Sequence, residues 1–396
     1  MLPWLNLGLP RTTSPAQTNH ALNLSSYLAR LVASGQATSR SELARVTGLA
    51  RSTVSEHLLP LLRIGLIAEH EAEAGARGRP PSVLTLNPQA GVILAADIGA
   101  AKGRLAIADF GQHFIVERSI QTDVARGPDT VLAEVRTAFL QMLAERQIDA
   151  RNVRLIVVGL PAPVDFASGM PVRPPIMPGW DNYPVPASFQ QEFSAPVLVD
   201  NDVNLMALGE ARCRPATQCP LLYVKASTGI GCGIVTHDGQ LHRGADGAAG
   251  DIGHVRVPGH EEPCRCGAYG CIEAFASYGA ILRKVGGDVG GDPGEAQLSA
   301  LVRTAAGEIG EVIAMLVHFF NPAVIVLGGR MTQFGDEMLA GVRSVVYRRA
   351  LPLATRKLSV ELSTLGNRAG IIGAVVLGVE HVLSPQGLRS MMPTTE

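Results

Sequence analysis

Several scarcities narrow what this chain can be. Neither sign of charge is in excess: 34 Lys and Arg stand against 35 Asp and Glu, a formal net charge of -1 over 396 residues. Balance of this kind excludes a broadly basic, nucleic-acid-coating surface, so any such contact must be confined to one local face. Long apolar runs are also missing. LIVVGLPAPV and AVIVLGG are the longest, and Gly or Pro interrupts each well short of the ~20 residues a membrane helix needs. The N-terminus lacks the basic, apolar, small-residue succession of a secretory leader. Cysteine is sparse at six residues, and nothing suggests an oxidising compartment. The expected location is the cytoplasm, with no membrane partner. What is abundant is apolar residues (46%), Gly (43) and Pro (26), the balance of a globular chain with many tight turns. Its length accommodates two or three domains around a large core.

Half of the few cysteines fall inside one stretch, Asp251 to Glu273, which reads DIGHVRVPGHEEPCRCGAYGCIE. Cys264, Cys266 and Cys271, with either His254 or His260, make a three-thiolate, one-imidazole set. Zn2+ prefers that set in tetrahedral geometry, and four protein ligands leave no place for a reactive water, so the ion would be structural. Gly267 and Gly270 supply the backbone freedom for a tight loop round an ion. The competing readings are unrelated buried thiols and a redox disulfide.

At the N-terminus, residues 1–19 are rich in Pro, Thr and Ser and read as a loose arm. Residues 20–88 read as a winged helix-turn-helix. Apolar positions from Leu22 to Val32 have helical spacing, and Gly35 ends that helix. Ser39 or Ser41 can cap the next, SELARVTG, which stops at Gly48. A longer third helix, LARSTVSEHLLPLLRIGLI, buries Val54, Leu58, Leu61 and Leu62. It offers Arg51, Ser52, Thr53, Ser55 and His57 near its N-terminal end, where a recognition helix meets base edges and phosphates. GARGRPP followed by SVLTLNP reads as a wing with Arg77 and Arg79 at its tip, suited to phosphate or the minor groove. The alternative is a small protein-binding helical unit with solvated arginines. Ala50 provides no cap, and Pro60 should kink the third helix or free one hydrogen bond, at around 3 kcal/mol.

Residues 89–396 alternate short apolar strands with helices, an α/β pattern. GVILAADIGAAKGRLAIAD and LLYVKASTGIGCGIVT are each strand, Gly turn, strand. This duplication of a phosphate-binding device suggests two similar lobes with a cleft between them.

GADGAAGDIGH, CRCGAYGCIE and VDNDVNLMALGE, supported by GLPAPVD and MPGW, resemble the signatures of the ROK family (repressors, open reading frames and sugar kinases). The resemblance covers about residues 20–385. It implies an actin-like, hexokinase-type ATPase fold of two lobes. It also implies His254 rather than His260 as the zinc ligand, and sugar contacts from Asn201, Asp202, Asp251, His254 and Glu273. The helix-turn-helix and GRPP wing resemble the regulator branch, which implies a sugar-responsive repressor acting as a homodimer on pseudo-palindromic operator DNA. In the family's kinases the residue matching Asp202 is the general base for phosphoryl transfer. Otherwise Asp202 could be a helix cap and Glu273 a solvated or zinc-supporting carboxylate. Asp251 stands where the family usually has Glu, and Ile176 where sugar kinases usually have Asn. The first phosphate loop, Asp97-Ile98-Gly99-Ala100-Ala101, lacks the second Gly and the Thr of the kinases. The second keeps Thr228, Gly229 and Gly231, and a Gly pair, Gly328-Gly329, lies on the expected adenosine side. ATP and Mg2+ are therefore not expected as cofactors, and the competing function is an ATP-dependent sugar kinase with an appended DNA-binding unit.

Overall fold

A computed structural model describes residues 20–71, 82–288 and 294–392. The chain opens with α1 (His20–Ala33), α2 (Arg40–Thr47), α3 (Arg51–Arg63) and an antiparallel hairpin, β1 (Ile67–Glu71) and β2 (Ser82–Leu86). Ser39 is the cap of α2: its hydroxyl accepts from the Glu42 amide, and the Glu42 carboxylate accepts from the Thr38 amide. This reciprocal pair satisfies amides that the helix start leaves free. Gly48, at φ 72°, closes α2 in the left-handed conformation. α3 starts at the uncapped Ala50 and continues through Pro60 as one helix. Pro60 has no amide to donate, but its carbonyl accepts from Ile64 at 3.0 Å, so the cost stays at one lost bond. Leu28, Leu31, Leu43, Val54, Leu58, Leu61 and Leu84 are fully buried between these elements. Leu62, expected in that core, is only partly buried. The expected wing tip, with Arg77 and Arg79, lies outside the described residues.

Two larger sheets form the body. The first contains β3 (Val92–Ile98), β4 (Lys102–Asp109), β5 (Phe114–Gln121), β6 (Val153–Leu160) and β9 (Val197–Asn201), in the order β5-β4-β3-β6-β9. A small hairpin, β7 (Val164–Asp165) and β8 (Met170–Pro171), stands beside it. The second sheet contains β10 (Leu221–Ala226), β11 (Ile230–Val235), β12 (Val324–Gly328) and β13 (Ser359–Leu362), in the order β11-β10-β12-β13. The first sheet has three antiparallel strands (β5, β4, β3) and the second has two (β11, β10); each adds two parallel strands on the other side, so the duplication read from the two Gly turns extends to whole lobes.

Helices α4 (Pro128–Glu145) and α5 (Val185–Phe189) cover one face of the first sheet. Helices α7 (Ile272–Ala276), α8 (Tyr278–Asp288), α9 (Glu295–Phe320) and α10 (Gly335–Arg349) cover one face of the second, with the short α11 (Pro352–Thr355) after them. The inner faces share a middle layer of α6 (Asp202–Arg212) and α12 (Ala369–Val382). These two helices touch backbone to backbone. A Cβ on Gly373 would lie 1.8 Å from the Leu205 carbonyl oxygen, and one on Gly209 would lie 2.5 Å from that of Ala369. The apolar character of α12 follows from this burial, and no single described helix is long and apolar enough to cross a membrane.

The last helix, α13 (Pro385–Met391), returns to the N-terminal unit. Leu383 and Leu388 share a core with Leu28 and Leu31, and the Ser26 hydroxyl donates to the Leu383 carbonyl at 2.6 Å. The three-helix unit is thereby packed onto the body rather than merely tethered to it.

Candidate functional site

A cavity of about 910 Å3 opens between the lobes. The turn after β3, the β9–α6 junction, the turn after β10, the 247–254 segment and Glu273 all line it. Every residue that the sequence nominated for the sugar site or the phosphate loops borders this space: Asn201, Asp202, Asp251, His254 and Glu273, with Asp97, Gly99, Thr228, Gly229 and Gly231. Ile176 borders it too.

The junction of β9 and α6 separates two roles that sequence left together. Asn201, not Asp202, caps α6: its Oδ1 accepts from the Val203 and Asn204 amides at 2.9 and 3.4 Å, and its Nδ2 donates to the Ala162 carbonyl. Asp202 is the first helical residue, nearly buried, and forms an ion pair with Lys225. Lys225 was missed by the sequence reading, although a lone Lys inside the apolar strand LLYVKA is a visible signal. Asp97 stands across the floor of the pocket, against the start of α12, where a Cβ on Gly370 would come within 2.2 Å of its Oδ2. Burial, reinforced by the neighbouring Asp202 charge, pushes its carboxyl up to about 7.

The second loop is held by Glu273. Its Oε2 accepts from the Ile230 amide at 2.9 Å and would lie 2.6 Å from a Cβ at position 229, so only Gly fits there. Glu273 is therefore not merely solvated; it accepts a hydrogen bond from a loop amide. In the first loop, the Gly99 amide donates to the Lys102 carbonyl, closing a tight turn. The Gly328-Gly329 pair has a packing reason, because a Cβ would lie 1.9 Å from the Tyr223 hydroxyl at position 328 and 2.5 Å from the Ala226 carbonyl oxygen at position 329.

His254, Cys264, Cys266 and Cys271 place one donor atom each within 4.8 Å of one another. His254 turns Nδ1 to the Cys264 sulfur at 3.5 Å, while its Nε2 lies 3.9 Å from Asp251 Oδ1 on the cavity side. His260 is engaged elsewhere: its ring stacks on Phe275 at 3.5 Å and lies beside Glu262 and Glu308. These four residues can hold a metal ion next to the cavity.

On α3, Arg51 and Ser52 are exposed, whereas Thr53, Ser55 and His57 are half-buried. His57 lies on the flank nearest the core, and its carbonyl accepts from the Ser25 hydroxyl. Arg40 of α2 is paired with Glu69 of β1 at 2.9 Å, which fixes the hairpin beside the helices.

A family model described as ROK family matches residues 93–380. The chain belongs to the ROK family. The family match begins at β3, so the three helices and hairpin precede it. A xylose repressor of Caldicellulosiruptor bescii is 26% identical over 371 residues, covering 87% of this chain and 92% of the repressor. A glucokinase of Halalkalibacterium halodurans is 28% identical over 304 residues, covering 70% of this chain and 92% of the kinase. Among solved structures, a ROK family transcriptional regulator described as a homolog of the Escherichia coli MLC protein superposes with a TM-score of 0.80. It is 23% identical and covers 95% of this chain and 99% of that one, a likeness that establishes the fold. The ROK body thus has the two-lobed architecture that the duplicated Gly turns suggested.

Proposed function

We propose that this ROK protein is a sugar-responsive, DNA-binding transcriptional regulator that represses carbohydrate-utilisation genes. The observation that carries this reading is the three-helix and hairpin unit placed ahead of the ROK body and packed on its last helix, with Arg51 exposed at the start of α3. Residues 20–88 are the DNA-binding unit and 89–396 the sugar-binding body. Two copies, related by a two-fold axis, read a pseudo-palindromic operator in the cytoplasm. A sugar in the cleft contacts Asp202, Asp251 and the cavity-facing Nε2 of His254. It shifts the lobes by its differential affinity for two arrangements.

The Cys3His cluster fits zinc. Bond lengths of about 2.3 Å to sulfur and 2.0–2.1 Å to nitrogen make tetrahedral edges of about 3.8 Å between sulfurs and 3.5 Å from sulfur to nitrogen. Cys266 to Cys271 measures 3.8 Å and Cys264 to His254 Nδ1 3.5 Å. Bound there, zinc would brace the pocket wall that carries Asp251 and His254.

The second reading, an ATP-dependent sugar kinase, is favoured by the second loop, which retains Thr228 and Gly229 on the cavity wall. One experiment separates the two. The purified protein is melted with D-xylose, D-glucose and N-acetylglucosamine, with and without ATP and Mg2+, and then incubated with a random duplex DNA pool. A regulator gives sugar-dependent stabilisation, an enriched duplex whose retention the same sugar alters, and no sugar phosphate. ATP-dependent formation of sugar phosphate, without an enriched duplex, would establish the kinase.

A further inference from the structure

We propose that Lys225 is the specificity-determining residue of this pocket, presenting with Asp202 a paired donor and acceptor that select a vicinal diol. This inference rests on the sugar-pocket reading above and names the group that does the recognising. Lys225 extends from β10 of the second lobe, and its side chain is only 17% exposed. It reaches Asp202, the first residue of α6 just after β9, with a side chain 3% exposed. The ion pair therefore bridges the base of the cleft. Asp97 and Glu273 also act on the ammonium from the first loop and from α7. Arg104, the other cation near Asp97, is held by Glu117 at 2.7 Å.

An ammonium has three N–H donors. Asp202 takes one, and among the described residues no other hydrogen-bond acceptor engages Lys225. Two donors remain at the cavity floor. Asp202 uses Oδ2 on Lys225 and keeps Oδ1 for a second partner. A hydroxyl that donates to Oδ1 beside an oxygen that accepts from the ammonium satisfies both groups, and adjacent hydroxyls of a sugar supply that pair.

The test uses the full-length protein and two variants, Asp202→Asn and Lys225→Met/Asp202→Asn, titrated calorimetrically with D-xylose, D-glucose and N-acetylglucosamine and with their 2-deoxy or O-methyl analogues. Both variants share the Asp202→Asn substitution, so they differ only at Lys225. The double variant removes the unpaired buried ammonium and should melt above Asp202→Asn, which rules out misfolding as a cause of lost binding. The expected result is at least ten-fold weaker sugar binding by the double variant than by Asp202→Asn. In the wild type, blocking one hydroxyl of the recognised diol should cost at least ten-fold. Equal affinity of the two variants, including loss of measurable binding by both while the wild type binds, would overturn the proposal and leave the sugar pocket intact. Failure of the wild type to bind any of the sugars would instead overturn the sugar-pocket reading, and this proposal with it.

Discussion

Replacing Gly373 by Ala should loosen the middle layer of the body. A methyl group there would lie 1.8 Å from the Leu205 carbonyl oxygen and 3.1 Å from the Gly209 amide nitrogen. Ordinary contact needs about 3.4 Å or more, so α12 and α6 must separate by roughly 1.5 Å or α12 must bend. Both neighbours are helix backbone, which cannot rotate away as a side chain can. Overpacking of this kind costs about 1–3 kcal/mol, and sometimes more. The better helix propensity of Ala returns about 0.5–1 kcal/mol. The net loss is therefore up to about 2.5 kcal/mol, and the rigidity of both helix backbones places it toward that upper end. Gly307 in α9 is the control, because a Cβ there would meet only Val345, at 4.0 Å. Gly307→Ala should gain about 0.5–1 kcal/mol. Thermal and urea unfolding of the two variants should thus move in opposite directions from the wild type. Because α6 begins at Asp202, Gly373→Ala should also weaken sugar binding, whereas Gly307→Ala should not. A Gly373→Ala protein that melts at or above the wild-type temperature would refute the close packing of α6 on α12.

Cys271→Ser should leave metal content substoichiometric and lower the melting temperature, because metal binding energy is folding energy in such sites; full zinc occupancy by elemental analysis would contradict the ligand set. Asp97 carries a carboxyl raised from 3.8 to about 7 by burial, so its contribution to stability is present below pH 4 and is lost as pH rises through 7. That rise corresponds to at most about 4 kcal/mol, with water in the cleft reducing it. The wild type should lose stability between pH 4 and 7 relative to Asp97→Asn, and parallel pH profiles from chemical denaturation would count against a raised Asp97 carboxyl. Arg51→Ala should weaken operator binding by about 1–3 kcal/mol and relax sequence preference; unchanged affinity and salt dependence in a gel-shift titration would remove α3 from the interface.

Local chemistry made much of this molecule legible from its sequence. Ser39, Gly48 and the apolar spacing of Val54, Leu58 and Leu61 define α2 and α3 because caps and helical periodicity act over a few residues. The strand, Gly-turn, strand repeats mark the two lobes for the same reason. The cysteine spacing at 264, 266 and 271 marks a cluster that can hold a metal because the three thiols lie in one loop. The family signatures brought together the residues that line the cleft.

Other features depend on encounters between distant segments, and only the tertiary structure decided them. Adjacent in sequence, Asn201 and Asp202 could each have been the cap; their partners, Ala162 and Lys225, come from other strands and assign the roles. Glu273 proved to be a clamp on the second loop because folding brings α7 to the Ile230 amide. The choice of Gly at 209, 229 and 373 has no local explanation and follows from backbone or carboxylate approaching within 3 Å. The sequence by itself determined the elements, the duplicated lobes and the cysteine-rich loop, since each is encoded within a short window. The tertiary structure alone decided the electrostatics of the pocket floor, because the burial that raises the Asp97 carboxyl and the Asp202–Lys225 ion pair exist only when distant strands are brought together.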